Sequence, residues 1–183
     1  MNGCLMDEPT EVHHLVKNFN LAWRAEPRYQ RLYENSDPNK YGGSTIISET
    51  IFAVGFNDDF IIAKQHPNKQ EEISKRLFNR DSTRNYRLSN PADTIYISEE
   101  YSIFIRNGNY YHLSNGWNPP DSLFPYRNET KYHIIDIREY GLNKWNSREH
   151  TYEYKSESEF QLGRQKLGVP DNLNFTIIDE KLK

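Results

Sequence analysis

Phe52-Ala53-Val54-Gly55-Phe56-Asn57-Asp58-Asp59-Phe60-Ile61-Ile62-Ala63-Lys64-Gln65 is the stretch that decides the fold. Two runs rich in β-branched and aromatic residues flank Asn57-Asp58, residue types that tolerate the left-handed backbone of a tight turn, so the stretch reads as a β-hairpin. With Asn57-Asp58 as a two-residue loop, Val54 faces Ile61, Ala53 faces Ile62 and Phe52 faces Ala63. Both faces are then apolar, which places the hairpin mid-sheet with cover on each side.

Working outward, Phe19, Leu21 and Trp23 alternate with Asn18, Asn20 and Ala22, predicting a strand over 18–24. A second strand is expected over 29–34, and Thr45 to Phe56 reads as one continuous β-rich run. Tyr101 to Arg106 and Asn109 to Leu113 flank Asn107-Gly108, a dipeptide suited to a type I′ turn, which pairs Ile105 with Tyr110 and Phe104 with Tyr111. Short strands are expected over 94–97 and 174–178, and a buried one over 132–138. Asn68, with Glu71 three residues on, caps a short helix whose apolar stripe is Ile73, Leu77 and Phe78. Ser156-Glu157-Ser158-Glu159 is a capping box; Phe160, Gly163 and Leu167 form a stripe, and Gly168 followed by Pro170 ends a helix over about 157–167. Residues 79–90 and 114–131 read as loop. The predicted class is α+β, β-dominated: an antiparallel sheet of hairpins with one short middle helix and one C-terminal helix.

The 183 residues suit one domain, taken here as 12–183 behind a flexible N-terminal tether, 1–11. Hydrophobic residues at 36% and a net charge of only −3 are compatible with a packed core rather than a disordered chain. Near-neutral charge supplies no global field for nucleic acid, so none is expected as a partner. Membrane contact is expected only through a lipid anchor. The single cysteine, Cys4, precludes an internal disulfide and any cysteine-cluster zinc site. Asn2-Gly3-Cys4 has the form of the end of a lipoprotein signal, though the basic and apolar regions that precede such a cysteine are not in the sequence. A plain N-terminal cysteine of a cytoplasmic protein is the alternative.

Trp23, the hairpin tract 52–65 with His66-Pro67, then Tyr132-His133-Ile134-Ile135-Asp136, then Glu159-Phe160 with Arg164, Leu167, Gly168, Val169 and Pro170 form an ordered set. That set resembles a family of small bacterial proteins classed as lipoproteins and defined only as a domain of unknown function. The resemblance covers about 15–67 and 132–173, with 69–131 as an enlarged insertion. It implies an envelope location and lipid attachment at Cys4, and it carries no catalytic residues to transfer.

The search for chemistry is mostly negative: there is no phosphate-binding glycine loop, no nucleophile elbow and no His-Glu-x-x-His metal motif. No cofactor and no metal are expected. His13 and His14, adjacent on a strand, point to opposite faces and cannot share an ion. Asn57-Asp58-Asp59 lacks the spaced ligands of a calcium loop. The basic segment 64–87, with Phe78 and Tyr86, reads as a solvated face rather than a nucleic-acid groove. Tyr110, Tyr111, Trp117 and Tyr126 form a candidate surface for stacking on a sugar or peptide, against ordinary hairpin packing. Lys64 shares a face with Phe60, Ile62 and His66, and needs either a route to solvent or a buried partner. Asp136, at the end of Ile134-Ile135, is the expected partner in a structural ion pair. The leading reading is a non-catalytic envelope lipoprotein or module that binds an unidentified protein or small ligand. A cytoplasmic interaction protein of inhibitor or immunity type is the alternative, and a hydrolase using His66, His133 and Asp136 ranks third.

Overall fold

The computed structural model describes residues 10–37, 41–80, 86–88, 103–106, 109–112, 119–142 and 145–183. Two compact units form, one from Met1–Pro67 with Arg127–Lys183 and one from Asn68–Tyr126, the second overlapping most of the stretch read above as an insertion. Every strand pair is antiparallel. The fold is β-dominated, with two α-helices among the described residues.

In the first unit, β1 (Thr10–Val16), β2 (Phe19–Arg24), β3 (Arg31–Glu34) and β4 (Ser44–Ile47) form a four-stranded meander. Behind it stands a five-stranded sheet built from β5 (Ile51–Phe56), β6 (Phe60–Gln65), β11 (Lys131–Asp136), β12 (Thr151–Tyr154) and β13 (Ile177–Ile178), in the order β12-β11-β6-β5-β13. Ile61 and Ala63 of β6, with Ile135, Val54 and Ile51, meet Leu15, Phe19, Leu21, Leu32 and Ile47 of the meander. Phe60, Ile62 and Ile134 point the other way, onto Phe160, Val169 and Leu173. Phe160 belongs to helix α2 (Glu157–Leu167), so β6 is covered on both faces. The expectation of a hairpin with two apolar faces is met.

The hairpin's register is displaced from the expected one. Phe56 pairs with Ile61, Gly55 with Ile62 and Val54 with Ala63, so the turn is Asp58-Asp59 rather than Asn57-Asp58. The cause is the Asn57 side chain, whose Oδ1 accepts from the N–H of Asp59 at 2.9 Å and of Phe60 at 2.8 Å. That side-chain closure takes Asn57 out of the turn's two central positions.

Four other expectations change. Thr45 to Phe56 is two strands in two sheets, parted at Ser48–Thr50, where Glu49–Thr50 is a cis peptide. Thr50 exchanges backbone hydrogen bonds with His66 and donates its hydroxyl to the Arg28 carbonyl at 2.6 Å, turning the chain out of the meander. Thr10 and Glu11, read above as the end of the tether, open β1, which pairs along β2. Residues 27–29 form a 3-10 turn, so the strand read from 29 begins at Arg31. The loop read over 79–90 contains strand residues.

In the second unit, helix α1 (Lys69–Leu77) is capped by Asn68, whose Oδ1 accepts from the Glu71 N–H at 3.0 Å. Then β7 (Phe78–Arg80), β8 (Tyr86–Leu88), β9 (Ile103–Arg106) and β10 (Asn109–His112) form a sheet in the order β7-β8-β10-β9. The pairings Ile105 with Tyr110 and Phe104 with Tyr111 are as expected. The Asn107-Gly108 turn and the strand expected at 94–97 lie outside the described residues.

At the far edge of the large sheet, β13 pairs with β5, and just before β13 the chain at Asn174 passes over Gly55. A Cβ there would collide with the Asn174 carbonyl. Gly55→Ala should therefore cost about 1–3 kcal/mol by forcing the segment at Asn174 away, read as a lower urea midpoint. An unchanged midpoint would show that the C-terminal segment is not held against β5 at this point.

Candidate functional site: a groove beside an open sheet edge

A concavity lies where β12 passes into α2. Only Lys155 and Ser156 separate the two elements, and capping fixes the angle between them. Ser156 Oγ accepts from the Glu159 N–H at 3.2 Å, while the Glu159 carboxylate accepts from the Lys155 N–H at 3.0 Å. The helix closes at Gly168, with φ of 73°, whose N–H reaches the Gln165 carbonyl while Val169 N–H reaches that of Arg164. Buried Arg164 adds a clamp, its Nη2 donating to the carbonyls of Pro170 at 2.7 Å and Leu173 at 2.8 Å. Helix α2 is thereby held at both ends.

Phe160 seats α2 on the sheet, stacked on Tyr132 with centroids 5.3 Å apart and edge-on to Tyr154 at 6.2 Å. Tyr154 needs a gap in the helix surface, and Gly163 supplies it, since any Cβ there would overlap the ring and its hydroxyl. The next helical face, Glu159, Leu162, Gly163, Lys166 and Leu167, forms one wall of a groove of about 610 Å³, with Tyr152 to Lys155 as the other. Leu162 is 56% exposed, one of three large exposed apolar residues described. Burial raises the pKa of Tyr154, so its phenol stays neutral.

The wall on the strand side is an edge. Asp136 N–H donates to the His150 carbonyl, so His150, Tyr152 and Tyr154 direct their backbone groups to β11. Thr151 and Glu153 direct theirs outward, where they meet no backbone partner among the described residues. A groove lined by tyrosines and leucines thus runs beside unfilled main-chain donors and acceptors.

The residues expected to matter fall elsewhere. Lys64 and Asp136 do not pair: β6 and β11 align Lys64 with Tyr132 and Asp136 with Phe60, four positions apart, or about 13 Å along the strands. Asp136 instead binds Arg138, Oδ2 to Nη2 at 2.6 Å and Oδ1 to Nε at 3.0 Å, and these bonds hold its carboxyl below the usual carboxylate range. Lys64 Nζ lies over the rings of Phe175 at 4.8 Å and Tyr132 at 5.4 Å. Tyr110 and Tyr111 are placed in β10 by their backbone, their side chains lying outside the described set as do Trp117 and Cys4. Tyr126 has the Lys69 ammonium over its ring at 5.8 Å. His13 pairs with Glu11 at 2.7 Å and His14 with Asn20 at 3.2 Å. Among the described residues no cluster of three metal-ligating side chains occurs.

The three residues of the hydrolase alternative do not converge. His133 and Asp136 face opposite sides of β11, and each has its own partner. His66 Nδ1 meets the Glu129 carbonyl at 2.8 Å, with its ring stacked on Phe52. His133 Nε2 lies 2.8 Å from Gln65 Oε1. Gln65 Nε2 donates to the Ser48 and Glu49 carbonyls, which leaves Oε1 to accept and places the proton of neutral His133 on Nε2. Both histidines sit in a buried polar seam with Gln30 and Thr50, and burial lowers the pKa of each, that of His133 to about 4.

A histidine with a lowered pKa in the folded state takes its proton more readily when unfolded. Its contribution is present above about pH 6.5 and is lost as pH falls toward 4, amounting to about 3 kcal/mol for His133. His133→Asn should flatten the fall of unfolding free energy across that window by about one proton. Proton NMR should show the His133 ring of the native protein still neutral at pH 5; a midpoint near 6.5 would contradict the buried seam.

Residues 16–98, under half of the chain, match the model of a family described as Protein of unknown function (DUF3997). The match runs past the hairpin and α1 to beyond β8, and it ends before β11, β12 and α2. Neither the curated proteins nor the solved structures contain a match to this chain.

Proposed function

We propose that this protein is a non-catalytic binding module that takes up an extended polypeptide segment along β12. The observation that carries the reading is the open edge of β12 beside a groove walled by Tyr152, Tyr154, Leu162 and Leu167. An added strand would lie about 4.8 Å from β12, satisfying the outward groups of Thr151 and Glu153 while alternate side chains enter the groove. Main-chain bonds would supply affinity and the groove selectivity. The same reading places the module at the bacterial cell envelope, carried by lipid on Cys4. That part rests on Asn2-Gly3-Cys4 and on the lipoprotein resemblance of the hairpin and helix segments.

Peptides selected from a displayed heptapeptide library on the purified protein should compete with one another and shift the amide resonances of Thr151 and Glu153. Glu153→Pro is the decisive variant. The N–H it removes points away from β11, so the fold should lose only about 1 kcal/mol or less, while strand addition is blocked. Peptide binding undiminished in Glu153→Pro would refute the reading. For the location, the protein in its native host should sediment with membranes, and Cys4→Ser should release it; soluble wild-type protein would overturn the lipid anchor.

A further inference from the structure

The charges around the groove identify the kind of segment it would take, an inference that rests on the strand-addition reading. Two carboxylates and two ammonium groups line it, and of the four only Glu153 is ion-paired among the described residues, which leaves an excess of unpaired positive charge. Glu153 is 3.4 Å from Lys131, and Glu159 is engaged by the Lys155 N–H. Lys155 and Lys166 are exposed, and neither ammonium forms an ion pair among the described residues. Lys155 moreover stands just before the first turn of α2, the end of a helix that disfavours a cation. The first turn already carries its cap and two acids, Ser156 with Glu157 and Glu159, so what a bound anion would meet there is the Lys155 ammonium.

From Glu157, the first residue of α2, to Lys166 the helix rises about 13.5 Å, and Lys155 stands two residues before it. An extended chain covers about 13 Å in four residues, and the lysine side chains span the difference. Residues i, i+2 and i+4 of a strand share one face, so carboxylates at i and i+4 reach the two lysines while the residue at i+2 meets Leu162. We infer that the groove between β12 and α2 selects an extended protein segment of the pattern acidic, any, apolar, any, acidic.

The probes are three synthetic peptides of threonine with valine at the centre: glutamate two residues either side of it, lysine at those positions, or glutamate at both ends. Fluorescence anisotropy with the full chain should show the first binding at least tenfold tighter than the second and measurably tighter than the third, with the preference shrinking as salt is raised. The double variant Lys155→Glu with Lys166→Glu, both on the surface and checked for folding by circular dichroism, should reverse the order of the first two. Equal binding of the glutamate and lysine peptides at a site sensitive to Glu153→Pro would overturn the charge pattern and leave strand addition standing. No binding by any peptide, with unmoved Thr151 and Glu153 amides, would overturn both. Formation of a dimer through β12 at the same concentrations would show that a second copy of the chain occupies the edge.

Discussion

Burial of β6 on both faces is the constraint from which the first unit follows. Phe60, Ile61, Ile62 and Ala63 are at most 2% exposed, and their alternation sends successive side chains into two separate cores. Burying each of the large side chains contributes about 1.5–3 kcal/mol, but only if something apolar stands on both sides. The meander supplies one cover, and α2 with the chain around Val169 and Leu173 supplies the other. Where the apolar run ends, at Gln65 and His66, the backbone and side chains need hydrogen-bond partners in the same buried layer. Thr50 meets the His66 backbone, and His133 with the Ser48 and Glu49 carbonyls meets the Gln65 side chain, which is why the chain breaks between β4 and β5 instead of running through as one strand.

What was legible in the sequence was the part governed by near neighbours. The hairpins, both helices and their caps, the buried strand near 132–138 and the double-sided burial of 60–63 all follow from periodicities and capping residues within about ten positions. The errors lie where distant pairing decides. Lys64 and Asp136 were both placed correctly on strands, yet neither strand carries the register that aligns Lys64 with Tyr132. Asp136 then takes the guanidinium two residues away, a local solution that needs no partner from β6. A local error, the displaced hairpin turn, arose from weighing Asn57 as a backbone choice when its side chain was the controlling group.

The groove escaped the sequence for a different reason. No motif marks it, because it exists through two facts of topology: β12 falls at the end of the strand order, and α2 returns beside it after a two-residue link. Leu162 was the available signal. It stands outside the Phe160, Gly163 and Leu167 stripe and is exposed.

An open edge threatens any β-protein with unwanted pairing, and β12 carries several of the features that limit it. The strand is four residues long, and charged Glu153 and Lys155 stand on and just beyond it. These features also bear on binding. A short edge offers few main-chain bonds, so backbone pairing alone would hold any segment weakly and without selection. Affinity must then come from side chains in the groove, whose shape depends on Tyr154 lying over the bare backbone of Gly163. A methyl group at that position would press the ring outward and fill the groove while leaving the edge intact. The glycine thus separates two properties of the same surface: among the described residues strand order leaves the edge open, and the space at Gly163 sets the shape of the neighbouring groove.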